Sequence, residues 1–474
     1  MPFGLGEGGD DSGSPAAVEL HSRYPRGMAE SAAQGDEILK PAEPVLVLCP
    51  LGFERRAFMR FGKLPVVTTG PGENAIRRAF AERDRWPVRD PRLVVLLGLA
   101  GGLSERFRSG DAAAVSAVVD DDGTLLFRSP IAGASASVVQ TPTLVTGTDA
   151  KRALAARSGA ELVDMESRAF AECATQARIP WAIVRGISDD AASLLPPEFA
   201  QFVDERGETR LSRVLSSVAR RPSLLGEFIA VGRQSRVAMR NASFAADALD
   251  CMSGLDLCSP TNPLLLFGGS FDPPHARHAT VLAEAMRALH ASAAIVIPAA
   301  INPLKTATPP ADPEARLSMC RLNFAPSAAD FPAEVRLSRI EIDRAGPSYT
   351  IDTILALLDR RPQLAGCIRF LGGNDAIRRI ESWHRWRELL ELATPAVVVR
   401  PPSTRDSVKA FLTRFADATG IATAPSWQLD IPPVDLASTE IRAAIARGER
   451  PAGVSDGVWG EITARGLYGF GSAR

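Results

Sequence analysis

Short, uninterrupted apolar runs alternate with amphipathic segments along the first half of the chain. The apolar runs lie at residues 45–49, 93–97 and 181–184, and helical periodicity occupies residues 74–83 and 167–176. Strands that are apolar on both faces are typical of a mostly parallel sheet covered by helices on both sides. The pattern therefore predicts an α/β domain.

A cluster of chain-breaking residues separates this pattern from a second one. Residues 253–263 read Ser-Gly-Leu-Asp-Leu-Cys-Ser-Pro-Thr-Asn-Pro, which is typical of a linker. Beyond it, apolar runs return at 264–267, 294–298, 368–371 and 396–400. We therefore expect two tandem α/β domains without an internal repeat. The predicted parts are a disordered leader over 1–42, rich in Gly, Ser, Ala and charge, a first domain over 43–250, a linker over 251–263 and a second domain over 264–474.

Composition narrows the class of protein. The chain has 474 residues, of which 46% are hydrophobic, and a formal net charge of −1. A nearly neutral chain is not built to coat nucleic acid or an anionic membrane, so small molecules are the expected partners. The six cysteines are scattered without a Cys-x-x-Cys pair, which favours a reducing cytoplasm. No apolar run approaches the roughly 20 residues of a membrane span.

A pair of histidines follows the first apolar run of the second domain. A Gly-Gly pair at 268–269 ends the predicted strand, and His275 and His278 lie where the next helix should begin. In an open parallel sheet the loop after the first strand faces the ligand crevice, and a helix start attracts anions. Histidines three positions apart share a helix face, so both imidazoles can donate to one phosphate chain. Two other interpretations stay open, namely surface or capping histidines and a zinc site that would use Asp272.

Further motifs follow in a fixed order. Near the end, Ser438 or Thr439 can cap a helix that carries Arg442 on its first turn, a second cationic group for an anion. With Gly-Gly-Ser-Phe-Asp-Pro-Pro-His at 268–275, these motifs resemble the nucleotidyltransferases with a His-x-Gly-His motif, and within them the bacterial nicotinate-nucleotide adenylyltransferases. The resemblance covers about residues 264–470. It also includes Pro-Ser-Tyr-Thr at 347–350, Gly-Asn-Asp at 373–375, Ser-Trp at 382–383 and Gly-Leu-Tyr at 466–468.

This resemblance implies a Rossmann-like domain that transfers AMP from the substrate ATP to nicotinate mononucleotide, with Mg²⁺ assisting and no resident metal site. The cationic groups that would act on the phosphates are His275, His278, Lys305 and Arg442. Trp383 would stack on the pyridine ring. The other implied binding residues are Gly268, Gly269, Ser270, Phe271, Asp272, Tyr349, Thr350, Gly373, Asp375, Ser438 and Thr439.

Two positions depart from the family's pattern. Arg277 stands where the family has the glycine before the second histidine, and Leu304 stands where it has another histidine. The choice between nicotinate and nicotinamide mononucleotide therefore stays open. Within the superfamily, phosphopantetheine and choline-type phosphates are alternative acceptors.

The first domain carries a different set of motifs. Asp-Met-Glu at 164–166 and Arg-Gly-Ile-Ser-Asp at 185–189 each lie at the edge of a predicted element. With Gly-Pro-Gly at 70–72 and the glycine-rich segment 98–102, they resemble the nucleoside phosphorylase/nucleosidase family over about residues 45–220. The methylthioadenosine/S-adenosylhomocysteine nucleosidases are the nearest in appearance.

That family cleaves N-glycosidic bonds, so the resemblance implies roles for several residues. Asp189 would protonate N7 of a leaving purine, Glu166 would hold the ribose hydroxyls, and Glu54 would activate water. Gly70 and Gly72 would form part of an anion pocket, and Gly101 and Met165 would line the nucleoside site.

The function of the first domain stays open at this stage. One alternative is a non-catalytic module that senses a nucleoside or forms a homo-oligomer. The segment 111–148 looks short for the walls of a base and ribose pocket, which favours an unusual substrate or a site kept for binding. A further hypothesis, motivated by the fusion alone, assigns both halves to pyridine-nucleotide salvage.

Overall fold

The computed structural model describes residues 36–131, 133–194, 216–217, 219–221, 224–303, 311–344, 346–433 and 438–471. They form two compact units. The N-terminal unit comprises Pro44–Met252, and the C-terminal unit comprises the residues from Ser253 onward together with residues 36–43. The chain therefore changes unit inside the segment predicted as a linker.

Strands and helices alternate in both units, and they are numbered here in chain order. The strands are β1 (Glu37–Lys40), β2 (Val45–Cys49), β3 (Val66–Thr68), β4 (Leu93–Gly102), β5 (Ala112–Val119), β6 (Leu125–Arg128), β7 (Ala136–Gln140), β8 (Leu162–Asp164), β9 (Trp181–Asp189), β10 (Leu264–Gly269), β11 (Ala293–Pro298), β12 (Glu334–Leu337), β13 (Ile368–Gly373) and β14 (Thr394–Val398). The α-helices are α1 (Gly52–Phe61), α2 (Glu73–Ala81), α3 (Thr148–Ser158), α4 (Ser167–Gln176), α5 (Leu224–Ala248), α6 (Ala276–Leu289), α7 (Pro313–Phe324), α8 (Thr350–Arg360), α9 (Asn374–Ile377), α10 (Trp386–Leu392), α11 (Arg405–Thr419), α12 (Thr439–Ala446) and α13 (Asp456–Arg465).

The N-terminal unit is built on a mixed sheet in the order β3-β2-β4-β8-β7-β5-β6, with β9 paired to both β4 and β5. Strands β2, β4 and β9 are parallel neighbours, as the apolar runs predict, whereas β4 pairs antiparallel with β8. Strands β5, β6 and β7 occupy the segment that looked too short for pocket walls. The first two were not predicted because half of β5 is alanine and none of the residues of β6 is buried.

The C-terminal unit has a six-stranded sheet in the order β1-β12-β11-β10-β13-β14. All neighbours are parallel except the edge strand β1, which runs antiparallel to β12. The strand order reverses at β10, with β11 on one side and β13 on the other. In open α/β sheets a ligand crevice lies at the carboxyl ends of the strands at such a switch point. The predicted fold class, two α/β domains with a Rossmann-like sheet in the second, is confirmed.

Two predicted segments differ in the structure. Within the predicted leader, residues 37–40 form strand β1, because Leu39 is buried in the core of the C-terminal unit and Glu37 pairs with Arg321. Within the predicted linker, residues 254–257 form a short 3₁₀ helix whose Leu257 is fully buried. Leu304 and Lys305 lie outside the described residues. Among the helices that the structure describes, none is both long and apolar enough to span a bilayer.

Candidate functional sites

The loop after β10 turns sharply into α6. Phe271 adopts a positive φ of 46°, a conformation that costs energy in a residue with a side chain, and its ring is buried. A Cβ on Gly269 would lie 3.2 Å from that ring, whereas one on Gly268 would meet open space. The glycine at 269 thus allows the backbone to pass the phenylalanine ring, and the loop returns to start α6 after His275.

The two histidines lie side by side at the start of α6. The backbone N–H of His275 donates to Nδ1 of His278 at 3.2 Å, and the ring centroids are 4.0 Å apart. Both rings are buried, and the ring of His278 also packs on Phe271. Because Nδ1 of His278 accepts this hydrogen bond, a neutral His278 carries its proton on Nε2, the nitrogen that could donate to a ligand.

Residues from the end of the chain hold the same loop. Arg442 Nη1 donates to the carbonyl oxygen of Asp272 at 2.7 Å, and Ser438 Oγ donates to that of Pro273 at 3.2 Å. The hydroxyl of Tyr468 donates to Asp272 Oδ1 at 2.7 Å. Burial raises the pKa of Tyr468, so its hydroxyl stays a donor. Ser438 and Arg442 therefore contact the histidine loop, and Thr439 is the first residue of α12.

A zinc site at Asp272 is not favoured by this geometry. The Asp272 carboxylate accepts hydrogen bonds from Tyr468 and from the backbone N–H of Ala311. Across the described ranges, no group of three or more His, Cys, Asp or Glu side chains is placed to hold a metal ion. The zinc interpretation therefore has no ligand set in the part of the chain that the structure describes.

Arg316 is a buried residue of this site that the sequence did not reveal. Its guanidinium donates to the carbonyl oxygens of Ser270 (2.8 Å), Ala299 (2.6 Å), Ala300 (3.0 Å) and Ala311 (2.8 Å). Only 1% of the residue is exposed, and burial lowers its pKa. Arg316 thus ties the loop after β10 to the loop after β11. Arg316 and Cys320 are four positions apart on the buried face of α7, and this spacing is the sequence signal that could have indicated a buried arginine.

The segment that carries the predicted Tyr349 and Thr350 contacts the loop after β11 through Ser348. Ser348 accepts at Oγ from the backbone N–H of Ala300 at 2.9 Å, and Thr350 is the first residue of α8. The ring of Tyr349 lies over His384 with centroids 4.5 Å apart. Trp383 packs on Phe370 at 6.0 Å, and its buried Nε1 has no hydrogen-bond partner among the described residues. His384 was not predicted, although it follows Trp383 directly.

Asp375 forms an ion pair where β13 and β14 end. Its carboxylate lies 3.0 Å from Arg400 Nη1. A Cβ on Gly373 would lie 2.5 Å from Asp375 Oδ1 and 2.6 Å from Cδ of Arg400, so this pair closes over the glycine. The aspartate itself is half exposed, with 54% of its side chain accessible, which leaves it open to a polar ligand group.

In the N-terminal unit, Arg185 is the centre of a buried charge network. It is fully buried on β9 and forms ion pairs with Asp164 and, at 3.3 Å, with Glu166. A Cβ on Gly98 would lie 2.6 Å from Arg185 Nη1 and 2.9 Å from Glu54 Oε1, so the glycine makes room for both. Within the described residues, Nε and Nη1 of Arg185 have no hydrogen-bond partner. Gly98 and Arg185 are paired within the neighbouring strands β4 and β9, and Asp164 ends β8.

Both glutamates of this network accept backbone hydrogen bonds. Glu54 accepts from the N–H groups of Leu51 and Leu99, each at 2.8 Å, and burial raises its pKa to about 8. Glu166 accepts from the N–H of Gly72 at 2.8 Å, and burial raises its pKa as well. The Gly72 amide thus donates to a carboxylate, and the anion pocket at Gly70 and Gly72 stays a prediction.

Asp189 is bound to a buried lysine that was not predicted. Lys151 Nζ donates to Asp189 Oδ2, to the carbonyl oxygen of Asp190 at 2.6 Å and to that of Ser193 at 3.3 Å. Both side chains are buried, and a Cβ on Gly101 would lie 3.3 Å from Asp189 Oδ2. The role of Asp189 as a proton donor stays a prediction. Lys151 escaped notice because its helix reads as a charged surface helix.

Met165 and Gly72 lie in one groove of about 780 Å³, beside Gln140 and Arg168. The groove adjoins the buried network through Gly72, which donates to Glu166. The structure thus brings together Glu54, Glu166, Gly72 and Met165. Asp189, at the end of β9, lies beside Gly101, which belongs to the same strand β4 as Gly98.

Comparison with known proteins defines the class of the C-terminal unit. The family model of cytidylyltransferase-like proteins matches residues 266–444, so this unit is a nucleotidyltransferase. A protein of Aeromonas salmonicida named "Probable nicotinate-nucleotide adenylyltransferase" is 37% identical over 219 residues, which are 44% of this chain and 97% of that protein. A Roseiflexus sp. protein of the same name is 36% identical over 208 residues, 44% of this chain and 98% of its own length. The chain belongs, through this unit, to the nicotinate-nucleotide adenylyltransferase family.

The N-terminal unit has its own matches. The phosphorylase superfamily model matches residues 134–220, which confirms the resemblance inferred from the motifs. Solved structures with similar chains include a Helicobacter pylori 5′-methylthioadenosine/S-adenosyl homocysteine nucleosidase, at 13% identity and a TM-score of 0.32 over 45% of this chain and 100% of that one. The futalosine hydrolase of the same organism matches at 12% identity and a TM-score of 0.32, over 44% of this chain and 99% of its own.

Proposed function

We propose that the C-terminal unit transfers AMP from ATP to nicotinate mononucleotide, giving the deamido dinucleotide and pyrophosphate. The observation that carries the proposal is the 37% identity with a relative of that name over 97% of the relative's length. His275 and His278 follow the loop at the switch point of the sheet, and Ser438 and Arg442 donate to that loop, which supports a phosphate site there.

The chemistry needs positioning more than it needs a reactive side chain. A phosphate oxygen of the mononucleotide attacks the α-phosphorus of ATP, and the bond from that phosphorus to the bridging oxygen of pyrophosphate breaks. The attacking phosphate is already ionised at neutral pH, so the task is to align two anions and to stabilise charge on the leaving pyrophosphate. His278, through Nε2, and Arg442 would donate to these oxygens, and Lys305 would add a further cation.

The Mg²⁺ that the resemblance implies would be bound at this site mainly by oxygens of the substrate. The nearest predicted carboxylate, Asp272, is engaged by Tyr468 and Ala311. Mg²⁺ prefers oxygen ligands and retains water, so triphosphate oxygens would be its main ligands. When bound, the ion would neutralise charge on the triphosphate.

The full chain tests the proposal directly. It would be incubated with ATP, Mg²⁺ and either nicotinate or nicotinamide mononucleotide, with dinucleotide and pyrophosphate measured by chromatography and a coupled assay. We expect the nicotinate dinucleotide, with pyrophosphate in equal amount. Absence of dinucleotide from both acceptors would reject the proposal, and faster use of nicotinamide mononucleotide would reject only the acceptor.

We also propose that the N-terminal unit binds a nucleoside and cleaves its N-glycosidic bond. The match of the phosphorylase superfamily model to residues 134–220 supports this proposal, as does the network of Glu54, Glu166 and Arg185 beside a groove. Glu166 would hold the ribose hydroxyls, and the ionised form of Glu54 would take the proton of the attacking water. Release of free base from nucleosides by the full chain tests the proposal, and release from none of them would favour the sensing module.

A further inference from the structure

The start of helix α8 is held by side chains from the loop that precedes it. Tyr349 is the N-cap residue of α8, and its side chain makes no capping hydrogen bond. A helix start leaves its first backbone N–H groups without intrahelical partners, so its conformation commonly depends on a capping side chain. Contacts from outside the helix therefore fix the entry into α8.

Glu341 makes the first of these contacts. Its carboxylate accepts from the hydroxyl of Thr353 on α8 at 2.8 Å, and the two residues are only 7% and 2% exposed. Burial raises the pKa of Glu341, although hydrogen bonds from Thr353 and Ser348 and the charge of Arg344 act in the opposite direction. The hydrogen bonds thus offset the cost of burying this carboxyl group only in part.

Arg344 makes the second contact. Its Nη2 donates to the carbonyl oxygen of Tyr349 at 3.4 Å and to the hydroxyl oxygen of Thr353 at 3.3 Å. The backbone N–H of Thr353 donates to the same carbonyl oxygen at 3.3 Å. The side chains of Glu341, Arg344 and Thr353 therefore form one connected group around the backbone of Tyr349, which is called here the turn network.

The turn network holds the backbone that carries the predicted acceptor residues Tyr349 and Thr350. The ring of Tyr349 lies over that of His384, with centroids 4.5 Å apart and planes inclined by 33°. Among the described residues, the side-chain hydrogen bonds of the turn network stay within positions 341–353. The network thus acts on this segment and not on the loop that leads to the two histidines.

We propose that Glu341 and Arg344 are positioning residues for the acceptor of the transfer reaction, because they fix the backbone of Tyr349 and thereby set the affinity for the pyridine mononucleotide without contacting it. This inference rests on the proposed transfer of AMP to that acceptor. A displacement of about 1 Å in a binding segment is enough to weaken binding and alignment substantially. Loss of the network should therefore affect the acceptor more than it affects ATP, whose phosphates are assigned to the histidine loop.

Thr353 offers the sharpest test, because two of its substitutions differ in the hydroxyl group. Thr353→Val keeps the shape of the side chain and removes the hydroxyl that joins Glu341 to Arg344, whereas Thr353→Ser keeps this hydroxyl. The full chain would be assayed for dinucleotide formation with each substrate varied in turn, and binding of the mononucleotide alone would be measured by calorimetry. We expect Thr353→Val to raise the KM and Kd for the mononucleotide about tenfold and to change the KM for ATP less than about twofold, and Thr353→Ser to retain most of the affinity.

Arg344 provides a second pair of variants, which serves if Thr353→Val does not fold. Arg344 is only partly buried, so its replacement is easier to accommodate. Arg344→Met removes the donor to the carbonyl oxygen of Tyr349, and Arg344→Lys keeps a positive charge with a donor. We expect Arg344→Met to raise the KM for the mononucleotide about tenfold and Arg344→Lys to raise it less.

Leu357→Ala separates positioning from a general loss of stability. Leu357 is buried on the same helix, and its truncation should lower the urea midpoint of the C-terminal unit while both KM values stay within about twofold. An unchanged KM for the mononucleotide in folded Thr353→Val and Arg344→Met would overturn the inference and leave the proposed transfer intact. Equal changes for mononucleotide and ATP, or an equal effect of Leu357→Ala, would do the same. Absence of dinucleotide from the unsubstituted chain with either mononucleotide would overturn both.

Discussion

Tyr468 donates its hydroxyl to the carboxylate of Asp272, a residue 196 positions earlier in the chain. Asp272 belongs to the loop that leads into His275, and the same loop accepts from Arg442. The end of the chain thus holds the proposed phosphate site in one conformation.

We expect Tyr468→Phe to lower kcat/KM for dinucleotide formation by about five- to twentyfold, the effect of losing one hydrogen bond to a carboxylate. The overall fold should be unchanged by circular dichroism, because the ring remains. Trp459→Phe, in the hydrophobic cluster that also contains Tyr468, is the matched control and should keep the activity. Equal losses in both variants would indicate a packing effect instead of a positioning effect.

His278→Ala should lower kcat/KM by about 2–4 kcal/mol of transition-state stabilisation, because Nε2 would no longer donate to the phosphates. Steady-state kinetics with both substrates varied would measure this loss. His290→Asn is the control, since residue 290 has a positive φ of 50°, which asparagine tolerates, and it lies at the opposite end of α6. A loss of less than about tenfold would argue against phosphate binding by this imidazole.

Arg316→Met should destabilise the C-terminal unit by about 3 kcal/mol, because it removes the donor from one buried and three partly buried carbonyl oxygens. Urea unfolding followed by hydrogen exchange would assign the loss to this unit. Arg321→Met changes a partly exposed arginine of the same helix, paired with Glu37, and should cost at most about 1 kcal/mol. Similar costs for the two variants would contradict the role given to Arg316.

Leu39→Ala should destabilise the C-terminal unit by about 2–3 kcal/mol, because Leu39 of β1 is buried in its core. Ile38 lies next to it and is 51% exposed, so Ile38→Ala should change stability by about 0.5 kcal/mol or less. Unit-resolved hydrogen exchange is the measurement. A loss in the N-terminal unit, or none at all, would mean that β1 does not belong to the C-terminal sheet.

The buried Glu54 makes the stability of the N-terminal unit depend on pH. Burial raises its pKa from an ordinary 4.5 to about 8, so folding favours the protonated form. Its contribution to stability is fully present below about pH 4.5 and is lost as pH rises through about 8. The urea midpoint of this unit should therefore fall across that window, and it should fall less in Glu54→Gln than in Glu105→Gln. Identical slopes in the two variants would show that Glu54 is not the group that titrates.

Much of the architecture can be predicted from the sequence because the central strands are continuous apolar runs. Strands β2, β4, β9 and β10 each lie where such a run occurs. The contact between Glu166 and Arg185 does not follow from the strand pattern, because Arg185 lies in the middle of β9 and β8 runs antiparallel to β4.

The residues that escaped prediction have partners far away in the chain. Lys151 and Arg316 each lie on a helix with charged neighbours, and only tertiary packing buries them against oxygens 38 and 46 positions distant. Strand β1 has four residues, and its single buried side chain gives no periodicity to detect. The local sequence pattern cannot reveal a contact that depends on residues elsewhere in the fold.

The position of β1 makes the two units nested instead of consecutive. The C-terminal sheet begins with residues 37–40, is interrupted by the whole N-terminal unit, and resumes at residue 264. A fragment starting at Ser253 would present β12 as a bare edge with unpaired backbone groups, a surface that invites another chain to pair with it. To produce the C-terminal unit on its own, residues 36–43 must therefore be joined to the segment that starts at Ser253.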